Sequence, residues 1–444
     1  MNVAFFVHCF FPEHFYGTET YTLELALEYQ RLGYRVNVIT SVFPGEQRAD
    51  NLITHFQYHN IPVIRIDKNQ YPHTRVKDTY YQNEMRGVLS TVLRDIRPDI
   101  VHVTHLVNHT SVLLEVAEDL GIPTYATFTD FFGICLNSKL EDAKGRLCYG
   151  PSKSRLNCLV CHIHAASPSW SQSPSLRQLA MHPAGAAVAA YALQCLRRLP
   201  GVRHGPLDGL AEDIVRRPDI LGTLYNRVYR GAVAPTKFLA HAYRSNGVNT
   251  PLHEIHFGVD VDRAPKPRRA HGHKPVIAYI GQIAPHKGVD LLVQAFARLE
   301  PGRAILKIFG PMDQDPHYMQ TLRDSTEGSE VQFCSTFDKG RMATIFADID
   351  LLVIPSRWYE NSPLVLLNAL ATHTPVLVSD VPGMTEFIHE NINGLSFTRG
   401  SVDALEEKLR KMTYRRETLP YMSTQTSYLH TPAAMAAKTA AIYG

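Results

Sequence analysis

Two stretches of this chain place a cation or a carboxylate where a phosphorylated ligand could use it. One is Gly281-Gln-Ile-Ala-Pro-His-Lys-Gly288, between the apolar run Val276–Ile280 and a segment with Val289, Leu292, Phe296 and Leu299 at helical spacing. A glycine entry, a lysine and a helix N-terminus suit a diphosphate: backbone N–H groups hold the phosphates while Lys287 neutralises them. The other spans residues 355–383. Asp350–Ile354 reads as a short buried parallel strand, and a polar loop with Glu360 and Asn361 follows it. Ser362 reads as an N-cap and Pro363 as a first helical position, before Leu364, Leu367, Leu370 and Ala371 recur on one face. A helix N-terminus, a carboxylate and a hydroxyl thus converge at the carboxyl end of a strand, where open α/β sheets place nucleotides. Phe309-Gly310-Pro311 ends another strand, and a glycine there lets a ligand approach the backbone.

Cysteine supplies a different chemistry. Cys135, Cys148, Cys158 and Cys161 follow the spacing C-x12-C-x9-C-x2-C, with His162 and His164 adjacent. Four reduced thiols ending in C-x-x-C are able to close a tetrahedral structural zinc site; unliganded thiols or a disulfide are the alternatives. Cys9, Cys195 and Cys334 read as ordinary buried cysteines. His102, His105 and His109 surround the end of an early strand, and His105 is the candidate for a ligand contact. Leu196-Arg-Arg-Leu-Pro-Gly-Val-Arg203 is basic and partly apolar, which fits a solvated helix end or a surface touching anionic lipid.

The elements that must position these groups follow from length and pattern. At 444 residues the chain exceeds one compact core, so two domains are expected. A net charge of +3 does not favour nucleic acid as a partner. No apolar run reaches the roughly 18 residues of a membrane span. The start, Met1-Asn-Val-Ala-Phe-Phe-Val, lacks a basic n-region and reads as a first strand, so a cytoplasmic protein with reduced or metal-bound cysteines is expected. Val3–Val7, Arg35–Thr40, Asp99–Thr104 and Pro123–Phe128 alternate with helical segments, the grammar of a doubly wound parallel sheet. Residues 131–228 break it and read as an insertion holding the cysteines. Domains are expected at 1–258 and 259–425, with a C-terminal helical segment over 426–444 packing back on the first. Ligand loops at the strand ends of both make an interdomain cleft the expected site. A nicotinamide-dependent enzyme is disfavoured, because Gly-x-Gly occurs nowhere in the chain.

Taken together these pieces resemble the retaining family-4 glycosyltransferases of GT-B fold: two Rossmann-like doubly wound parallel-sheet α/β domains. The resemblance rests on Gly17-Thr-Glu before the first helix, the Gly281–Gly288 loop, Phe309-Gly310, the Glu-x7-Glu-like segment Glu360–Asn368 within Trp-Tyr-Glu-Asn-Ser-Pro-Leu, and the hinge-like Phe257-Gly-Val-Asp260. It implies transfer of a sugar, with retention, from a nucleoside-diphosphate sugar to a hydroxyl of a glycan or lipid-linked acceptor, without a catalytic metal. It implies a donor site in the second domain, with the acceptor in the first. It implies catalytic roles for Lys287, Glu360, His105 and Asp130, and donor contacts from Gly17, Thr18, Gly281, Gln282, Gly310, Ser362, Pro363, Leu364 and Asn368. The chain departs from the family pattern at four places. Gln282 stands for the usual arginine, Asn368 for the second glutamate, Tyr16 for a glycine, and Thr129 for the histidine of a His-Asp pair. These departures motivate the alternative of a sugar-nucleotide-binding scaffold subunit with weakened turnover. Peripheral contact with the inner face of the membrane is the expectation attached to the basic segment.

Overall fold

The computed structural model describes residues 1–46, 51–166, 181–197, 205–267, 269–270, 272–326, 328–415 and 417–444. The chain divides into two compact units, Met1–Ile255 with Ala433–Gly444, and His256–Pro432.

The first unit carries an eight-stranded sheet in the order β3-β4-β2-β1-β5-β6-β7-β8. Its strands are β1 (Asn2–Phe6), β2 (Arg35–Val42), β3 (Ile53–Tyr58), β4 (Ile61–Asp67), β5 (Ile100–Val103), β6 (Thr124–Thr127), β7 (Tyr229–Ala234) and β8 (Leu252–Glu254). All neighbours pair in parallel except the β3–β4 hairpin. The central strand β1 is buried at every position, as a strand covered by helices on both faces must be. Sequence pattern missed the hairpin. Its tip puts His59 and Asn60 at φ 50° and 62°, a two-residue turn whose left-handed backbone matches strand twist.

The crossover from β6 to β7 passes through residues 128–228. It contains three helices among the described residues, Leu156–Ala166, Pro183–Leu196 and Pro206–Val228. They share an apolar core of Leu159, Ile163, Ala186, Ala190, Leu193, Ala211 and Ile214. Asp213 fastens the third helix to the segment before it in space, accepting from Arg75 Nε at 2.8 Å and from the Lys77 N–H at 3.1 Å.

The second unit has an all-parallel six-stranded sheet, β11-β10-β9-β12-β13-β14. These are β9 (Val276–Ile280), β10 (Ile305–Phe309), β11 (Val331–Cys334), β12 (Leu351–Ile354), β13 (Val376–Ser379) and β14 (Gly394–Phe397). Its core joins Ile277, Leu306, Ile308, Leu351, Val353 and Leu377 of the sheet to Leu292 and Phe296 of the helix Val289–Ala297. No helix among the described residues is long and apolar enough to cross a membrane.

Candidate active site

In the second unit, β9 and β12 are neighbours, and the loops that leave them meet. The β9 loop turns through a short 3-10 segment, Pro285–Lys287, before the helix Val289–Ala297. The β12 loop carries Ser356, Trp358 and Glu360. Lys287 Nζ lies 2.6 Å from Glu360 Oε1 and 4.7 Å above the Trp358 ring. Ser356 Oγ and Trp358 Nε1 donate to the same oxygen at 2.7 and 2.8 Å. All three donors therefore meet Oε1, and none of them bonds Oε2. Burial pushes the Glu360 carboxyl upward, but the Lys287 charge and the bonds from Lys287, Ser356 and Trp358 outweigh it and hold it below its ordinary range. It is an ionised carboxylate with one oxygen anchored and one available.

Two glycines make this geometry. A Cβ on Gly383 would fall 2.0 Å from the Glu360 carbonyl oxygen, so only glycine lets the β13 turn pass under the Glu360 loop. A Cβ on Gly310 would fall 2.2 Å from the Gly281 carbonyl. Gly310 is thus required by the neighbouring loop. Arg357, which sequence reasoning passed over, donates to Asp290 Oδ1 at 2.7 Å and Oδ2 at 2.5 Å and to the Pro285 carbonyl at 2.6 Å, clamping the Lys287 loop from the other side.

The helix after Glu360 runs Leu364–Ala371, with Pro363 as its N-cap at φ −62°, ψ 127°. This corrects the expected Ser362 cap and Pro363 first position by one residue. Ser362 takes φ 57°, left-handed where a cap would be extended, and its N–H bonds the Gly383 carbonyl at 3.2 Å. Its buried hydroxyl has no partner. The Asn368 amide donates back to the Leu364 carbonyl at 2.9 Å, along the helix. Gln282 gives its backbone carbonyl to Tyr279 Oη at 2.6 Å.

In the first unit the ends of β1, β5 and β6 lie side by side and gather His8, His105 and Asp130. His105 Nε2 is 2.9 Å from Asp130 Oδ2. Burial would lower the His105 pKa, but Asp130, through charge and hydrogen bond, and Glu19 reverse this and raise it. The His8 ring lies 4.3 Å from that of His105, and burial together with His105, His109 and His14 lowers its pKa well below the usual value. Glu19, 1% exposed, faces His8 Nε2 at 3.2 Å and accepts from Cys9 Sγ at 2.9 Å. His8, Cys9 and Glu19 are the trio among the described residues whose ligand atoms lie within 4.8 Å of one another. Sequence reasoning had not singled out His8 or the Glu19 side chain; the adjacency of β1 to β5 in a doubly wound sheet was the available signal.

The other histidines divide from this group. His102 is fully buried between Thr127 Oγ1 and Tyr443 Oη, at 2.8 and 2.7 Å, and His109 bonds the Val7 carbonyl at 2.8 Å. Burial lowers their pKa values to about 3 and about 4, so both are neutral core residues. Gly17 opens the helix Gly17–Arg31 with no atom within 4 Å of where a Cβ would sit, and the Thr18 carbonyl accepts from Thr22 Oγ1 at 2.7 Å. Beside the cluster lies a cavity of about 490 Å³ lined by Phe10, His14, Thr40, Ser41, Phe56 and Arg65, among others. Thr40 Oγ1, Ser41 Oγ and Arg65 Nε are buried there without partners.

Among the cysteines, Cys9 is buried, whereas Cys195 is exposed and Cys334 half-buried, which corrects the expectation that all three are core residues. Cys135, Cys148, Cys158 and Cys161 are half-buried and close enough to influence one another's charge. Burial first, then the neighbouring thiols, push Cys158 up to about 12 and Cys161 up to about 11. Of the basic segment 196–203 only Leu196 and Arg197 lie within the described residues; Arg197 Nε bonds Asp208 Oδ1 at 2.9 Å.

Comparison with known proteins bears on both units. The model for "Glycosyl transferases group 1" matches residues 260–426, and that for "Glycosyltransferase Family 4" matches residues 15–144. A D-inositol 3-phosphate glycosyltransferase of Nocardia farcinica is 33% identical over 162 residues, 32% of this chain and 36% of the relative. A lipopolysaccharide 1,2-N-acetylglucosaminetransferase of Salmonella typhimurium is 24% identical over 172 residues, 37% of this chain and 42% of the relative. The chain thus spans well under half the length of these curated relatives. Among solved structures, Anabaena HepE in complex with UDP superposes with TM-score 0.64 at 14% identity, covering 100% of this chain and 99% of that one. The catalytic domain of Arabidopsis thaliana starch synthase IV, bound to ADP and acarbose, gives 0.59 at 14%, covering 100% and 98%. At such identity these likenesses speak for the fold alone. With both family models matched and the two parallel-sheet units in place, the chain belongs to the family-4-like glycosyltransferases of GT-B fold.

Proposed function

We propose that the protein transfers a glycosyl group from a nucleoside-diphosphate sugar to a hydroxyl of a glycan or lipid-linked acceptor, with retention of configuration. The observation that carries this reading is the Lys287–Glu360 pair, fixed on one carboxylate oxygen by Ser356 and Trp358. Lys287 neutralises the departing diphosphate, the largest charge that develops when the bond from the anomeric carbon to the phosphate oxygen breaks. Glu360 uses Oε2 to accept from a donor-sugar hydroxyl. Gly281, Gln282 and Gly310 border the phosphates, while Ser362, Pro363, Leu364 and Asn368 border the sugar and ribose. As the acceptor oxygen bonds the anomeric carbon, its proton passes to the diphosphate, the same face being used for entry and exit.

The acceptor falls to the first unit. There the His105–Asp130 pair stands in for the histidine that Thr129 replaces, and it orients the acceptor hydroxyl. The unpartnered Thr40 and Ser41 hydroxyls and Arg65 Nε beside the cavity, which Glu13 and Glu46 also line, support a ligand rich in hydroxyls. To Gly17 and Thr18, at the start of the helix Gly17–Arg31, we assign contacts with the donor. We place the protein in the cytoplasm, with peripheral contact to the inner face of the membrane through the 196–203 segment.

A second reading, a sugar-nucleotide-binding scaffold with weak turnover, is favoured by the Asn368 amide being committed to its own helix. One experiment separates the two. A thermal-shift screen against UDP-, GDP-, ADP- and dTDP-sugars identifies the donor, because a ligand that binds only the native state raises its melting temperature. Transfer and donor hydrolysis are then followed with that donor over a broad acceptor panel. Turnover abolished by Lys287→Ala supports the enzyme; binding with no turnover on any acceptor supports the scaffold.

A further inference from the structure

The four cysteines sit on two elements folded against each other. Cys135 closes a tight turn, its N–H donating to the Phe131 carbonyl at 2.7 Å. A hairpin follows: Cys148 N–H bonds the Leu140 carbonyl at 2.9 Å, Glu141 bridges Leu147, and Asp142 Oδ1 accepts from the Lys144 and Arg146 N–H groups at the tip. Cys158 and Cys161 lie three residues apart in the helix Leu156–Ala166, hence on one face. The hairpin tip comes near that face, close enough for the Ala143 backbone to act on the Cys161 thiol. The Gly150 N–H donates to Cys148 Sγ at 3.4 Å, and Asn157 Nδ2, beside Cys158, reaches it at 3.7 Å.

An independent observation points to an anion at this place. Arg217 is 2% exposed, yet its Nε and Nη1 have no hydrogen-bond partner; only Nη2 is bonded, to the Phe132 carbonyl. The guanidinium lies 4.8 Å over the Phe132 ring and 5.6 Å from that of Tyr80. The ionisable groups that act on it most are Tyr225, Cys135, Tyr80 and Tyr243, while Asp213, one turn earlier on the helix, is paired with Arg75. A buried cation without a counter-charge is costly by several kcal/mol. Four thiolates around a divalent ion leave a net negative centre, and Cys135 would bring that charge to Arg217.

We propose that Cys135, Cys148, Cys158 and Cys161 bind one zinc ion as a closed four-thiolate centre that fastens the 131–155 loop to the helix Leu156–Ala166. Among the described residues no three of these sulfurs lie within 4.8 Å of one another, whereas sulfurs bound at about 2.3 Å to a tetrahedral ion stand about 3.8 Å apart. Binding therefore requires the sulfurs to come closer together. With all four positions taken by protein, the ion has a structural role and none in the transfer step.

The test is elemental analysis of the full chain purified without chelator. One zinc per chain is expected, retained in Cys195→Ser and Cys334→Ser and lost in Cys158→Ser. Because a cysteine variant is prone to misfold, the wild-type protein is also titrated with a mercurial thiol reagent beside a zinc-sensitive dye. Zinc should be released in step with four protected thiols. Arg217→Met should retain zinc about tenfold less well against a competing chelator, the usual scale for an outer-shell partner. A metal-free protein with four freely reactive thiols, a disulfide among the four on non-reducing peptide mapping, or iron in place of zinc each overturns the assignment.

Discussion

The two strand-end sites use opposite electrostatic designs. In the second unit one carboxylate oxygen is held by three donors, one of them a lysine, and the result is a fixed pair of charges. In the first unit, neighbouring rings only 4.3 Å apart are driven in opposite directions, His105 toward protonation and His8 away from it. A site that must stabilise a departing anion needs charge that does not move with pH. A site that orients a hydroxyl has no such need, and its groups are free to differ in protonation from ring to ring.

Removing the fixed charge is the largest expected effect. Lys287→Ala should reduce transfer about a hundredfold, on the order of 3 kcal/mol of transition-state stabilisation. It should also lower the melting temperature, because Glu360, only 12% exposed, loses its cation. Steady-state kinetics and calorimetry on the same sample check both, and near-normal turnover would remove Lys287 from the mechanism.

Next comes the backbone under Glu360. Gly383→Ala forces a methyl against the Glu360 carbonyl and should destabilise the second unit by about 1–3 kcal/mol. Donor affinity should fall with it, since the carboxylate moves. Chemical denaturation and donor titration measure the two effects, and an unchanged midpoint would mean that the loop shifts freely.

The first unit should respond to pH instead. His105 has a raised folded-state pKa, so the stabilisation from Asp130 is full below about pH 6.5, its unfolded value, and vanishes as pH rises through the folded value. Asp130→Asn should therefore cost about 1–2 kcal/mol in mild acid and progressively less in alkali. The difference from wild type must be taken at each pH, because His8, His102 and His109, with lowered values, destabilise the fold on the acid side. Glu360 behaves in the reverse sense: its lowered pKa gives stability above about pH 4.3 that is lost as pH falls through the folded value. A constant Asp130→Asn difference from pH 5 to 9 would show that His105 does not titrate against Asp130.

The smallest effect is at Gly17, where nothing crowds a new side chain and φ is not left-handed. Gly17→Ala should hold or raise stability by about 0.5 kcal/mol, in contrast to Gly383→Ala. A clear fall in melting temperature would mean that the helix start is more constrained than the space around it indicates.

Parallel strands were easy to read because burial on both faces forces continuous apolar runs, as in Val276–Ile280 and Leu351–Ile354. The β3–β4 hairpin was not, because β3 is an edge strand whose Thr54, His55 and Gln57 leave no such run. β14 holds only Gly-Leu-Ser-Phe, too short to separate from a loop. Loop residues of the site were visible as types, but their pairing was not: Lys287 and Glu360 are 73 positions apart and meet only because β9 neighbours β12. Ser362 was misplaced by one position because its backbone is left-handed, held by its N–H to the Gly383 carbonyl at 3.2 Å, and so lacks the extended conformation of a cap.

The first unit also takes in Ala433–Gly444, after the chain has passed through the whole of the second. Tyr443 stands against Tyr29 and Tyr125, and its hydroxyl bonds His102 in the core. Synthesis runs in one direction, so β1 to β8 leave the ribosome long before this tyrosine does. The unit that is made first is completed last. Until then the His102 pocket stands open on a nascent chain, exposing aromatic surface to chaperones and proteases while the second unit is already able to fold. Quality control should accordingly act on the C-terminal segment: a protein shortened before Ala433 keeps every residue of both strand-end sites and yet loses the lid of its first core.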